Sequence, residues 1–139
     1  LHEVMFAGRE GAGSLRWSVM ASIIPGQDCP APEFVGRSLD NFEGWLTADS
    51  FMEIHPVEKA ALVVTRLIDI WPFEFGNLTT AVLFCNHFLA EAHLPPFLIL
   101  PENVEEFDQV LEQAITMQTQ PLVIAIYKSM QRELNLVGG

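Results

Sequence analysis

Positive charge is what this chain has least of: seven lysines and arginines stand against eighteen aspartates and glutamates, a formal net charge of −11. A field of that sign repels nucleic acid and anionic membrane at long range, so neither is expected as a partner. It also works against a polyphosphate ligand unless local donors overcome it. Cysteine is scarce as well. Cys29 and Cys85 fit no metal or redox spacing, and two cysteines define no disulfide framework from sequence alone, which makes a reducing, cytoplasmic setting the expectation. The longest apolar runs, residues 60–64 and 97–100, fall far short of the ~20 residues a bilayer requires, so the chain is expected to be soluble. No stretch alternates strictly enough to predict an extended sheet, and there is no internal repeat or low-complexity tract. Leu1 stands where an initiator methionine would, without a basic-then-apolar leader behind it, as expected of an excerpt of a longer protein.

What is abundant is apolar surface at helical spacing. Half of the 139 positions are hydrophobic, enough for one domain with a real core over residues 1–139. Five segments carry helical periodicity, and the fold class they predict is mainly α. Residues 33–46 place Phe34, Leu39, Phe42, Trp45 and Leu46 mostly at steps of three and four. Residues 56–70 open with proline in the first turn and set Val57, Ala60, Ala61, Val64, Leu67 and Ile68 on a broad buried face. A third helix starts between Leu78 and Thr80, is apolar nearly all round, and must stop before Pro95-Pro96; such a helix is expected at the centre of the domain. Asn103 is the expected N-cap of a fourth, with Glu106 completing a variant capping box and Val104, Phe107, Val110, Leu111, Ala114 and Ile115 facing inward. A fifth runs over residues 121–136, leaving Gly138-Gly139 as a frayed end or linker. Between residues 19 and 32, Pro25-Gly26 separates two short apolar pieces, which reads as a short β-hairpin or an irregular flap.

Gly76 and Asn77 join the second of these helices to the third, so their backbone N–H groups face open space at a positive helix end, where an anion can bind. Leu78 lies in the same turn. Thr79 and Thr80 bring two hydroxyls to the spot, able to donate to phosphate. The competing reading makes the same residues helix caps that satisfy orphan amides.

The surrounding order of residues narrows the choice. A helix ending in Asp69-Ile70, then Trp71-Pro72-Phe73-Glu74-Phe75-Gly76-Asn77, then an apolar helix leading to Leu94-Pro95-Pro96, resembles the Fic family, whose loop reads H-P-F-x-(D/E)-G-N-G-R-x-x-R. Pro72, Phe73, Gly76 and Asn77 match in register. Leu1-His2 is similar to that family's leading helix, Gly13-Ser14-Leu15-Arg16 to its G-x-(F/Y)-R signature, Pro30-Ala31-Pro32-Glu33 to the step after its flap, and Asn86 to its central helix. The resemblance runs from Leu1 to about Pro96 and implies a single Fic-like helical domain with a short β-hairpin flap.

It also implies a chemistry, transfer of AMP from ATP to a protein hydroxyl, against which each loop position can be set. The family's general base, a histidine, falls on Trp71, whose indole has no basic lone pair. Its acidic magnesium ligand falls on Phe75, which offers no oxygen to a hard cation. Its second glycine falls on Leu78, and its two phosphate-binding arginines on Thr79 and Val82. Losing a general base alone typically costs 10² to 10⁴ in rate, so ordinary AMP transfer should be negligible. Pro72 and Phe73 keep their structural parts, fixing the approach to the turn and anchoring it. The reading that follows is a degenerate Fic fold serving as a protein-binding or regulatory module, with a protein partner held along the flap at residues 19–30 by strand addition. The alternative is a protein nucleotidyltransferase with an altered site, in which Gly76, Asn77, Leu78, Thr79 and Thr80 bind a phosphate donor, Glu74 serves as ligand or base, and ATP and Mg²⁺ are the cofactors. No metal site is expected otherwise: His87 and Glu91, four apart on one helix with His93 near, lack a complete ligand set. Ser129 and Glu133 have the spacing of the family's inhibitory helix, but its arginine counterpart is Val82.

Overall fold

Proline and apolar spacing decide where the helices begin. The computed structural model describes residues 7, 8 and 10–138, with side chains through 134. Leu1 and His2, compared above with a leading helix, and Gly139 lie outside the described residues. The elements are α1 (Pro32–Leu46), α2 (Asp49–Met52), α3 (Pro56–Ile70), α4 (Asn77–Glu91), a 3₁₀ turn (Pro101–Asn103), α5 (Val104–Ile115) and α6 (Gln120–Gly138). α1, α3 and the 3₁₀ turn open with proline in their first two positions, where a missing N–H removes no intrahelical bond. His55 caps α3, its Nδ1 accepting from the Val57 N–H at 3.2 Å. Helix α6 continues through Gly138, which the sequence suggested as a frayed end.

The central helix is α3, not α4 as expected from hydrophobicity. Val57, Ala60, Ala61, Val63, Val64, Leu67, Ile68 and Ile70 are all buried on it, and it packs against α1, α4, α5 and α6. α4 flanks it: Ala81, Cys85 and Leu89 turn inward, while Leu78 and Leu83 stay 37% and 40% exposed. An all-round apolar helix is not compelled to the centre when its neighbours cover only one side. α5 and α6 close the other side through Phe107, Leu111, Leu122 and Ile126.

One expectation about a helix terminus is corrected. Asn103 is the N-cap of α5 but makes no capping bond; its Oδ1 accepts from Arg132 Nη1 at 2.8 Å, so a tertiary partner on α6 displaces the local capping box. The flap is a single antiparallel bridge, Ala21 to Asp28, and no named strand occurs among the described residues. Its turn is closed by the Gln27 N–H on the Ile24 carbonyl at 3.2 Å, around Pro25 and Gly26, whose φ of +81° suits the third position of such a turn. The Ser22 N–H to Gln27 O and Cys29 N–H to Met20 O bonds flank the bridge, both 2.9 Å. Pro25 lies within the turn itself, and beyond Cys29 the Pro30 carbonyl accepts from Arg16.

Candidate functional site

The loop between α3 and α4 is gripped from below by one arginine. Trp71, the C-cap of α3, adopts the left-handed conformation, φ 50° and ψ 63°, which costs an L-residue about 1–2 kcal/mol. Its N–H still reaches the Leu67 carbonyl at 2.9 Å. Arg16, only 2% exposed, offsets that strain. Its guanidinium donates to the carbonyls of Ile70 (3.2 Å) and Trp71 at the negative end of α3, and to those of Ser18 (3.0 Å) and Pro30 at the base of the flap. Its own N–H donates to the Pro72 carbonyl at 2.8 Å. Arg16 therefore ties loop to flap, a role its place in a short signature did not disclose.

Glu74 forms the second tie. Its Oε1 accepts from the Trp17 N–H (2.8 Å), the Ser18 N–H (2.9 Å) and the Ser18 hydroxyl, which also reaches Oε2 at 2.7 Å. The Ser18 hydroxyl is the main reason its carboxyl sits below the usual carboxylate range, against an opposing contribution from partial desolvation, with the two amides and the Arg16 charge helping. Glu74 is thus an acceptor committed to the flap. Ser18 was not visible as its partner, because nothing local links residues 56 positions apart.

The turn itself is closed by Asn77. This side chain is 3% exposed, accepts the Phe73 N–H at 2.9 Å and donates back to the Phe73 carbonyl at 2.7 Å. Gly76, at φ 72°, supplies the left-handed residue just before α4. Of the two candidate hydroxyls, Thr80 is buried and donates to the Gly76 carbonyl at 2.8 Å, so only Thr79 faces solvent. The backbone N–H groups of Asn77, Leu78 and Thr79 make no hydrogen bond among the described residues and remain open at the start of α4. Pro72 is buried, and Trp71 packs against the core.

Along α4 the pattern repeats: Asn86 accepts from the Phe97 N–H (2.7 Å) and donates to the Phe97 carbonyl (3.1 Å), pinning the chain after Pro95-Pro96. Ser129, 1% exposed, hydrogen-bonds both the N–H and the carbonyl of Leu98, so it belongs to this structural seam. His87 Nε2 and Glu91 Oε1 meet at 3.1 Å on the exposed face of α4. No group of three or more histidine, cysteine, aspartate or glutamate side chains with metal-binding geometry occurs among the described residues. Both cysteines are buried and free, and burial pushes the Cys85 thiol up to about 12. No helix among the described residues is long and apolar enough to cross a membrane.

The Fic/DOC family model matches residues 1–89, the stretch that contains Arg16, the flap, α3, the loop and most of α4. The chain belongs to the Fic/DOC family. Among similar proteins are "Protein adenylyltransferase Fic" of Culex quinquefasciatus, 33% identical over 107 residues, 77% of this chain and 21% of that protein, and its namesake in Nematostella vectensis, 31% identical over 106 residues, 76% and 25%. Solved structures of Fic-1 from C. elegans superpose with TM-scores of 0.80 and 0.79 at 26% identity, covering 96% of this chain and 39% of theirs. This Fic domain thus spans a quarter or less of the length of those two relatives.

Proposed function

We propose that this Fic domain is a protein-binding or regulatory module, holding a partner segment along residues 19–30, and that its loop carries out no AMP transfer. One observation carries the reading. Glu74 is the only carboxylate in residues 71–82, and its oxygens are engaged by Ser18 and the Trp17 amide. Neither Trp71 nor Phe75 replaces it, since an indole cannot take a proton at neutral pH and a phenyl ring cannot hold magnesium. The donor set does not fit Mg²⁺, because the amide oxygen of Asn77 is taken by Phe73 and the loop offers no further anionic oxygen. Main-chain pairing along the flap depends on none of the missing groups.

Nucleotide transfer to a protein hydroxyl is the second reading. Two observations favour it: the relatives are named protein adenylyltransferase Fic, and the amides of Asn77, Leu78 and Thr79 are open at a helix start.

Thermal stability followed during titration with ATP and other nucleotides, with and without Mg²⁺, separates the two. A ligand at 100 times its dissociation constant adds about 2.7 kcal/mol, a readily visible shift. No stabilisation by any donor, together with loss of partner capture when residues 19–27 are deleted, is the expected result. Saturable stabilisation that disappears in Thr79→Val, with label transferred to a protein, would establish the second reading instead.

A further inference from the structure

The seam between the chain after Pro95-Pro96 and helices α5 and α6 encloses a cavity of about 60 Å³ that opens to solvent. One side of it is apolar. Phe97 and Phe107 are buried there with ring centroids 5.4 Å apart, and Ile99 and Ala125 complete the wall. The other side carries charge of both signs: Lys128 and Arg132, one turn apart on α6, and Glu106 in the first turn of α5. Arg132 is held in place, since its guanidinium donates to Asn103 Oδ1 (2.8 Å) and to the Leu98 carbonyl (3.1 Å), and it keeps further N–H groups for a ligand. Cations are scarce in this chain, seven against eighteen acids, yet neither of these two meets a carboxylate at ion-pair distance among the described residues. Glu106 has no such partner either.

An apolar wall facing separate positive and negative groups selects a small zwitterion. We propose that this cavity binds a free α-amino acid with a small aliphatic side chain, its carboxylate on Arg132 and Lys128, its ammonium on Glu106 and its side chain against Phe97 and Phe107. A plain carboxylate or phosphate would satisfy only the two cations, set its charge against Glu106 and be opposed by the net charge of −11, whereas a net-neutral ligand meets neither penalty. A peptide terminus carries only one of the two charges. Size sets the side chain. Benzene needs a cavity of about 150 Å³, so this one excludes an aromatic ring and admits a group such as isopropyl. The cavity shares no residue with the flap or the loop, so the proposal stands apart from the protein-binding reading.

The test is an NMR titration of this chain with L-valine, N-acetyl-L-valine, L-valinamide and L-phenylalanine, followed on the Leu98 and Ser129 amides. Saturable shifts are expected with valine, half-complete in the millimolar range for a ligand of so few atoms. N-acetylvaline and valinamide each lack one charge and should bind more weakly, and phenylalanine should not enter. Glu106→Gln and Lys128→Gln, both at exposed positions outside the Arg132 tie, should each weaken valine about two- to fivefold, the range of an exposed ion pair. No saturable shift with valine, or unchanged affinity in both variants, would overturn the proposal. Binding of N-acetylvaline as tight as that of valine would make the cavity a carboxylate site, and equal binding of valinamide an amine site. Either result overturns it as well, as does equal binding of phenylalanine.

Discussion

Removing the Asn77 side chain tests how the loop keeps its shape. Asn77 is 3% exposed and closes a two-bond ring on the backbone of Phe73, with bonds of 2.9 and 2.7 Å. In Asn77→Ala both Phe73 groups lose their bonds to Asn77. An unpaired buried polar group costs about 1–3 kcal/mol, and water reaches half-buried Phe73 in part, so the loss should be about 2–4 kcal/mol. In urea unfolding that moves the midpoint down by roughly 1–2 M at typical slopes. Asn77→Asp is the sharper variant. Its Oδ1 still accepts the Phe73 N–H, but a carboxylate oxygen replaces the donor that faced the Phe73 carbonyl, setting two acceptors against each other. The folded protein then favours the protonated acid, which can donate to that carbonyl, so the folded-state pKa of Asp at position 77 is raised. A raised acid binds more protons folded than unfolded, and its stability contribution falls as pH rises. The gap between Asn77→Asp and wild type should therefore narrow on acidification, while the gap for Asn77→Ala stays level. A neutral-pH stability of Asn77→Asp equal to wild type, or a gap that widens in acid, would refute the reasoning.

Four other outcomes follow from the same geometry. Glu74→Gln should speed amide hydrogen exchange at Trp17 and Ser18; because the Glu74 pKa is depressed, the tie it makes holds above the ordinary carboxylate value of 4.5 and is lost as pH falls through the lower folded value. Unchanged exchange at those amides would mean the tie is not formed. Gly76→Ala should cost about 1–2 kcal/mol in thermal unfolding, since φ 72° is a left-handed angle an L-residue resists. Cys29 and Cys85 should resist thiol reagents at neutral pH until the chain is unfolded; with the Cys85 thiol raised from 9.0 to about 12, stability falls as alkali takes the pH through that window. Restoring Trp71→His, Phe75→Asp, Leu78→Gly, Thr79→Arg and Val82→Arg together should create measurable label transfer from ATP if the register of the loop is right, with the unmodified chain as the blank.

Much of the fold could be read from spacing because helices obey local rules. Proline at the first turn marked the start of α3, and apolar spacing placed α1 within a residue. The loop was legible for a related reason: Pro72, Gly76 and Asn77 each meet a backbone demand of the turn, and such demands leave a recognisable order of residues. Hydrophobicity misled where burial depends on neighbours. α4 is the more apolar helix, yet α3 is the one enclosed, since the packing of α1, α5 and α6 decides which helix is covered. Between a short hairpin and an irregular flap the sequence left the choice open, because two apolar pieces around Pro25-Gly26 mark a turn without fixing how far the chain pairs beyond it; the pairing is a single bridge.

By itself, the sequence determined the mainly helical class and the family, since each follows from residue identity at a local position. Only the tertiary structure decided what the remaining groups are for. Arg16 reaches carbonyls as far as 55 residues away, Glu74 finds Ser18, and Asn103 abandons its own helix for Arg132. A side chain has several possible partners of comparable worth along its own segment, and the fold selects among them by bringing a better-placed one from elsewhere. That selection tied Glu74 to the flap and left Trp17 standing in water beside it.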